Sequence, residues 1–218
     1  MSPRVVAVFD FDHTLTASDS FAGFCWWLLR RQWWRMAILI GAVPFLAPLL
    51  LLKSSRRLPV RFAVWVSTLG VSDEQLLQLV HSYLRTHLAG EIPVVLKDGL
   101  DRVAMHRESG HEVIIATGAF EPLVRAICDS AGLEDVIVVG SSLRRALGGL
   151  VADQHCVGVR KISMLTKRGY PPDWEFVYTD HHADVPILAR GFGLNSRYLG
   201  VEIICGNCHR QQAGCLSP

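Results

Sequence analysis

The feature that most constrains this chain is a short apolar run that ends in two carboxylates one residue apart. Residues 5–9, VVAVF, are rich in β-branched side chains, and Asp10 and Asp12 follow them directly. Such a run indicates a strand that is buried on both faces, as in a parallel sheet. Because ligands of open parallel sheets bind beyond the carboxyl ends of the strands, Asp10 and Asp12 mark a candidate site.

Two crowded carboxylates repel each other, and this repulsion favours a bound cation. Mg²⁺ prefers oxygen ligands and commonly works together with a substrate phosphate. An aspartate can also attack phosphorus and form an aspartyl phosphate. The pair of aspartates therefore indicates metal binding and phosphoryl chemistry, although the short pattern is also compatible with an ordinary polar exit from a strand.

Further apolar runs that end in polar residues predict more strands of the same sheet. They cover residues 111–119, 136–139, 175–179 and 195–199, and segments with helical spacing separate most of them. The alternation predicts an α/β fold with a doubly wound parallel sheet. We assign residues 1–16 and 95–204 to this core, residues 17–94 to an inserted helical cap and residues 205–218 to a tail.

The cap region has an unusual composition. Residues 21–35 read FAGFCWWLLRRQWWR, and residues 36–52 carry no charge at all. Lys53, Arg56 and Arg57 follow, before a second apolar stretch at residues 58–71. Tryptophan and arginine beside apolar segments are typical of a membrane interface. We favour a cap that lies in or dips into the cytoplasmic interface over an apolar helix buried in a soluble cap.

A membrane crossing by residues 36–52 is the less favoured interpretation. The segment would form a helix about 25 Å long, against a hydrocarbon core of about 30 Å. Pro44 and Pro48 would also kink it. Asp10 lies before this segment and all other candidate site residues follow it, so a single crossing would separate them.

Composition supports contact with a membrane or an apolar partner. Hydrophobic residues make up 50% of the chain and charged residues 19%, with a mean hydropathy of +0.27. The net charge is only +2, so nothing global indicates nucleic acid. No signal peptide can be read, because cleavage near Asp10 would destroy the site. We expect the cytoplasmic face of the inner membrane, with the cytoplasm as the alternative.

The order of motifs resembles the haloacid dehalogenase-type phosphatase superfamily, in its phosphoserine-phosphatase-like branch (subfamily IB). Residues 10–14 match its first motif, D-x-D-x-T, and residues 117–119, T-G-A, match its second. The resemblance implies that Asp10 is the nucleophile and Asp12 the general acid/base. Where most phosphatases of the family have Gly, this chain has His13, which either contacts substrate or lies partly exposed in the loop; we favour the latter.

The later motifs imply the remaining roles. Thr117, with Gly118 beside it, would hold a phosphate oxygen, and Lys161 would neutralise the phosphate and the nucleophile. Arg160 and Lys167 are weaker competitors for that position. Asp180 would bind Mg²⁺ together with Asp10 and the Asp12 backbone carbonyl, and Asp184 would be a ligand or orient a metal-bound water. His181 and His182 leave a transition-metal site open as a less favoured alternative.

Within the superfamily, the chain resembles most a phosphatidylglycerophosphatase C-like group. The shared features are R-R-Q after an aromatic helix, a proline-bearing apolar cap segment, a basic cluster and the Y-x-D-x-x-x-D-x-P pattern of residues 178–186. The resemblance implies a Mg²⁺-dependent phosphomonoester hydrolase that acts on a phospholipid headgroup such as phosphatidylglycerophosphate. A phosphatase of a soluble metabolite such as phosphoserine and a non-enzymatic membrane-associated adaptor are the alternatives.

The tail carries the pattern C-x-x-C-H at residues 205–209. This pattern is that of c-type haem attachment, which requires export and conflicts with a cytoplasmic site. Zinc binding through Cys205, Cys208, His209 and Cys215 is a second alternative. We favour an unstructured tail.

Overall fold

The computed structural model describes residues 5–51, 57–88, 95–171, 174–179 and 200–203. Its main sheet has five strands in the order β3-β2-β1-β6-β7. All four strand pairings are parallel, and β1 lies at the centre. The strands are Val6–Phe9 (β1), Glu112–Phe120 (β2), Ile137–Ser141 (β3), Phe176–Thr179 (β6) and Gly200–Ile203 (β7). The predicted α/β class and parallel sheet are confirmed.

Alternate residues of the central strands face two separate cores. Phe9 and Ile115 point into the core formed with the cap and with helices α5 (Lys97–Glu108) and α6 (Glu121–Ser130). Val8 and Ile114 point into the opposite core, which α7 (Val159–Lys167) covers with Leu165. Helices on both faces explain why these strands are apolar without alternation.

In the described residues, four helices lie between β1 and α5 and form the cap. They are α1 (Ser20–Arg30), α2 (Trp33–Leu51), α3 (Arg57–Thr68) and α4 (Asp73–Leu88). A capping box begins α4: the Gln75 backbone N–H donates to Ser72 Oγ at 3.2 Å, and the Ser72 N–H donates to Gln75 Oε1 at 3.0 Å. The predicted domain limits at residues 16, 94 and 204 stay predictions.

A two-stranded hairpin of the core lies against the cap. It consists of β4 (Leu143–Ala146) and β5 (Gly149–Ala152), as the Gly148-Gly149 pair predicts. The Trp65 indole of α3 donates to the Ala146 carbonyl at 3.0 Å, and the Leu150 N–H donates to Thr68 Oγ1 at 2.9 Å. Gly149 is needed here, because a Cβ at this position would lie 2.6 Å from Trp65 Cδ1.

One predicted helix start was wrong. Residues 93–106 predict a helix that starts at Pro93, but α5 begins at Lys97, because Leu96 is extended and its N–H donates to the Leu15 carbonyl at 2.7 Å. The strand predicted at residues 195–199 lies outside the described residues, and the described strand β7 covers Gly200–Ile203. The cysteines and His209 of the tail also lie outside the described residues.

Arg35 was expected to lie at the membrane interface, because tryptophans and arginines surround it in sequence. This expectation was wrong. Arg35 is buried, and its guanidinium donates to the carbonyls of Ser67 at 2.8 Å and Leu69 at 2.7 Å. These carbonyls lie at the C-terminal end of α3, where a cation is favoured. Arg35 therefore joins α2 to α3, and burial lowers its pKa.

A buried histidine below the sheet makes fold stability depend on pH. His106 lies 2.9 Å (Nε2) from the Tyr178 hydroxyl and 2.8 Å (Nδ1) from His111 Nδ1. Burial, followed by the positive charges of His111 and Arg102, lowers the pKa of His106 to about 4. The ring is therefore neutral in the folded protein under conditions in which an unfolded chain, with a pKa of about 6.5, takes up a proton.

We expect the free energy of unfolding to fall by about 3 kcal/mol from this group as the pH drops from about 6.5 to about 4. His106→Gln should remove this part of the pH dependence. His81→Gln, an exposed position on α4, is the control and should leave the slope unchanged. Urea unfolding of the three proteins between these pH values measures the effect. Parallel pH profiles for wild type and the His106 variant would contradict the assignment.

Candidate active site

The candidate site begins where β1 ends. Asp10 follows Phe9, its backbone N–H donates to the Tyr178 carbonyl of β6 at 2.8 Å, and its Oδ1 accepts from the Phe11 N–H at 2.8 Å. The N–H groups of residues 14–16 all bond to the Phe11 carbonyl, at 2.8 to 3.3 Å, and so wrap the chain into a tight turn. This turn fixes the direction of the Asp10 carboxylate.

A buried lysine faces this carboxylate. Lys161 Nζ lies 3.0 Å from Asp10 Oδ2, and the side chains of Lys161 and Asp10 are only 5% and 12% exposed. The Thr179 hydroxyl lies 3.5 Å from the same oxygen. Lys161 belongs to the first turn of α7, and this helix brings it to the end of β1. A buried ammonium beside a carboxylate offsets negative charge in a place that excludes water.

The Asp12 carboxylate contacts the start of the cap. Its Oδ1 accepts from the Ser20 backbone N–H, at the beginning of α1, at 2.8 Å. Burial raises the pKa of the Asp12 carboxyl, with smaller contributions from the Asp19 and Asp10 charges, while the hydrogen bonds from Ser20 oppose the rise. The two aspartates thus have different surroundings: one faces an ammonium and the other a helix N-terminus.

His13, between Asp12 and Thr14, is exposed and has φ of 61°. That left-handed backbone favours glycine, and histidine is among the residues that tolerate it best. The exposure agrees with an exposed loop histidine, and a contact with substrate stays untested.

The carboxyl end of β2 forms a bulge beside Asp10. Register with β3 shifts between Ala116 and Phe120, so residues 117–119 bow out of the ladder. Thr117 is fully buried, and its Oγ1 accepts from the Ala119 N–H at 3.0 Å. A Cβ on Gly118 would lie 2.9 Å from Val157 Cγ2, so glycine permits the close approach of the neighbouring loop.

The sequence interpretation missed the residues that support this bulge. Ser141, at the end of β3, donates to the Gly118 carbonyl at 2.7 Å, accepts from the Cys156 N–H at 2.9 Å and lies 3.2 Å from His155 Nδ1. The buried Cys156 thiol has its pKa raised to about 11, mainly by burial, and the charges of Lys161 and Asp10 also act on it. The small polar end of β3, G-S-S, was the available signal for Ser141.

The structure brings together Asp10, Lys161 and the bulge that carries Thr117 and Gly118, with Asp12 in the same turn as Asp10. Asp180 and Asp184 lie outside the described residues, although Thr179, directly before Asp180, is described. Within the described part of the chain, no group of three or more His, Cys, Asp and Glu side chains is arranged to hold a metal ion. Lys167, at the far end of α7, is exposed and does not compete with Lys161.

Charged side chains at the carboxyl ends of a doubly wound sheet are a common arrangement in α/β enzymes. The chain belongs to the haloacid dehalogenase-like hydrolase family, whose family model matches residues 7–189. The prediction of a hydrolytic enzyme of this family is thereby confirmed.

Solved structures share the fold at low sequence identity. A protein of unknown function from Bordetella pertussis Tohama I has a TM-score of 0.60 and 18% identity, over 87% of each chain. A phosphoserine phosphohydrolase-like protein from Francisella tularensis gives 0.55 and 17%, over 87% of this chain and 83% of the other. An apo phosphoserine phosphatase gives 0.51 and 15%, over 88% and 84%.

Proposed function

We propose that the protein is a phosphomonoester hydrolase in which Asp10 is the nucleophile, Asp12 the general acid/base and Lys161 the charge-neutralising residue. The buried Asp10–Lys161 pair, at 3.0 Å, is the observation that carries the proposal. A trianionic transition state needs positive charge and hydrogen-bond donors where its oxygens develop charge. Lys161 and the Thr117–Gly118 bulge offer these groups at one edge of the sheet.

In the first step a carboxylate oxygen of Asp10 attacks phosphorus and the ester P–O bond breaks. Asp12 gives its proton to the departing alkoxide, so the alcohol leaves neutral. The hydrogen bond from the Ser20 N–H holds the Asp12 carboxylate at the start of α1, two residues after Asp10 in the same turn. The product of this step is a phosphoryl group on Asp10.

In the second step Asp12 accepts a proton from water, and the water oxygen attacks phosphorus. The bond between phosphorus and the Asp10 oxygen breaks, inorganic phosphate leaves and Asp12 is protonated again. Lys161 remains beside Asp10 throughout. It offsets the negative charge that the carboxylate regains when its bond to phosphorus breaks. Both half-reactions therefore use the same three side chains.

A magnesium ion fits the donor chemistry of this turn. The described candidate donors are oxygens, namely the Asp10 carboxylate and the Asp12 backbone carbonyl, and hard cations prefer such ligands. Asp180 and Asp184 would complete the set. When bound, Mg²⁺ would supply positive charge that screens the phosphoryl oxygens.

We further propose that the substrate phosphate belongs to a phospholipid headgroup such as phosphatidylglycerophosphate. Helix α2 supports this choice, because it is apolar yet exposed around most of its circumference, with Trp33 79% and Phe45 77% exposed. Its one charged residue, Arg35, is buried. A helix that is apolar all round is normally buried in protein or in lipid. Among the described elements, α2 packs mainly on α1 and α3.

The second helix of this pair continues the apolar surface. Leu58 and Val60 of α3 are exposed at 50% and 61%, near Arg57 and Arg61. Large exposed apolar patches with polar rims mark protein or membrane contacts. Within the described residues no helix is long and apolar enough to cross a membrane. We therefore propose that the α2–α3 pair docks on the membrane surface.

Exposed arginines would add electrostatic attraction to an anionic leaflet. Arg30, Arg31 and Arg57 are exposed, whereas Arg35 is not available for this role. Lys53 and Arg56 lie outside the described residues. Each basic residue near an anionic surface contributes on the order of 1 kcal/mol. Binding should therefore weaken as salt is added.

Replacing Ile40 and Phe45 together with Gln should weaken binding to vesicles of phosphatidylcholine and anionic phosphatidylglycerol by at least about tenfold, because each buried apolar side chain contributes about 2 kcal/mol. Hydrolysis of a lipid phosphomonoester should fall with binding, while a small soluble ester should be hydrolysed within about twofold of wild type. Met105→Gln with Leu147→Gln, two exposed apolar positions outside the α2–α3 pair, is the matched control.

Phosphate release from lipid and soluble phosphomonoesters, with and without detergent, tests the function as a whole. We expect the lipid substrate to be preferred in both mixed micelles and vesicles. Preference for phosphoserine or another soluble ester, or equal losses on both substrates in the Ile40/Phe45 variant, would favour the soluble-metabolite alternative. No release from any ester would favour the adaptor.

A further inference from the structure

The bulge at the end of β2 takes residues 117–119 out of the sheet. Strand β2 runs from Ala116 to Phe120 where the paired stretch of β3 runs only from Val139 to Ser141, so β2 carries extra residues. These residues cannot all join the ladder, and the peptide groups of this largely buried segment need other partners. The Gly118 carbonyl has such a partner, because it accepts from the Ser141 hydroxyl at 2.7 Å.

The loop before α7 (residues 153–158) fixes the orientation of this hydroxyl. Ser141 is buried, and its Oγ accepts from the Cys156 N–H at 2.9 Å and lies 3.2 Å from His155 Nδ1. A serine hydroxyl has one proton to donate and two lone pairs that accept. Since the proton lies on the short bond to Gly118, the Cys156 and His155 nitrogens donate to the lone pairs. All three positions around the hydroxyl oxygen are then used.

A single peptide group carries this constraint to Thr117. The peptide between Gly118 and Ala119 is trans, so its carbonyl and its N–H point in opposite directions. The carbonyl points at Ser141, and the N–H donates to Thr117 Oγ1 at 3.0 Å. Because the threonine oxygen accepts this bond, the threonine proton can be donated to a phosphate oxygen.

We propose that Ser141 is a positioning residue of the phosphate site, which sets the Thr117 hydroxyl through the peptide between Gly118 and Ala119. Its side chain acts without touching the substrate. A donor that stabilises a transition state must be in place beforehand, because its reorientation during the reaction costs free energy. The inference rests on the proposed phosphatase function and adds a residue to its machinery.

Hydrolysis of para-nitrophenyl phosphate in the presence of Mg²⁺ tests this role. Ser141→Ala should lower kcat/KM by about tenfold to a hundredfold, since a small displacement of a positioned group has effects of that size. Ser142→Ala is the matched control, because the neighbouring hydroxyl bonds to the same loop at Gln154 and Asp153. The control should stay within about twofold of wild type.

A double-mutant cycle separates positioning from a purely structural role. Thr117→Val removes the hydroxyl that Ser141 sets. Adding Ser141→Ala to Thr117→Val should then lower kcat/KM by less than about threefold further, whereas a residue that only stabilises the fold shows its full loss in both backgrounds. If Ser141→Ala does not fold, Ser141→Cys takes its place, because a thiol has a similar size and is a weak donor.

Inhibition by orthovanadate in the presence of Mg²⁺ gives a second readout. Vanadate mimics the phosphoryl group in transfer, so its inhibition constant should rise by about the factor by which kcat/KM falls in the Ser141 variant. An unchanged kcat/KM in that variant, or equal losses in both backgrounds of the cycle, would overturn the inference and leave the phosphatase in place. Absence of hydrolysis by wild type would overturn the proposed function itself.

Discussion

Replacing Asp10 with Asn should lower turnover of every phosphomonoester by at least about a thousandfold, as removal of a covalent nucleophile does in other enzymes. The amide is a poor nucleophile and cannot form the phosphoryl intermediate. It retains the size of the carboxylate and an oxygen that can accept a hydrogen bond from Lys161. The fold should therefore persist, with a lower unfolding midpoint, because a buried ammonium loses its charged partner.

Activity and thermal unfolding should be measured on the same preparations. Asp101→Asn is the matched control, since Asp101 is exposed on α5 and away from β1. If Asp10→Asn loses activity but still unfolds in a cooperative transition, the variant is folded and Asp10 is assigned as the nucleophile. Retained turnover in the Asp10 variant would remove Asp10 from that role, and loss in the Asp101 control would point to a general effect of charge.

The elements that could be predicted from the sequence are those fixed by local patterns. Continuous apolar runs identify β1, β2, β3 and β6, because a strand that is covered on both faces has apolar side chains on both faces. Two local patterns also predict elements from residues close in sequence. The capping box at Ser72 and Gln75 predicts the start of α4, and the Gly148-Gly149 pair predicts the β4–β5 turn. Lys161 was placed by the order of motifs, and the structure brings it to Asp10.

The misplaced features depend on contacts between distant parts of the chain. Arg35 stands among tryptophans and arginines in sequence, but its partners are carbonyls 32 and 34 residues away. His155 was missed for the same reason. It lies beside Gly118 because its ring contacts Ser141 at the end of β3, and Ser141 in turn donates to the Gly118 carbonyl. No periodic pattern reports such pairings, so composition alone assigned Arg35 to the wrong surface.

Chemistry near Asp10 was easier to predict than its geometry. The D-x-D-x-T pattern predicted two carboxylates at a strand end, and both are there. The pattern did not predict that Asp12 would turn to the Ser20 N–H while Asp10 faced Lys161. That difference arises from the turn around the Phe11 carbonyl and from the position of α1, which depends on packing of the whole cap.

Removal of divalent cations should silence the enzyme. Near Asp10 and Asp12 a phosphate ester brings further negative charge, and Lys161 supplies a single positive one. A chelator should abolish phosphate release, and Mg²⁺ should restore it better than Zn²⁺ or Ca²⁺, because the predicted ligand set is all oxygen. Ca²⁺ should inhibit, since it tolerates extra ligands and would engage the Asp10 carboxylate as a ligand at the expense of its role as nucleophile.

Binding of Mg²⁺ can be followed without turnover. Because a ligand that binds only the folded state stabilises it, Mg²⁺ should raise the unfolding midpoint of chelator-treated wild type. Asp10→Asn should reduce that rise by removing a carboxylate ligand, whereas Asp101→Asn should match wild type. Full activity in chelator, or an equal rise in all three proteins, would exclude a magnesium site at Asp10. The aspartate pair would then act through Lys161 and the Thr117–Gly118 bulge alone.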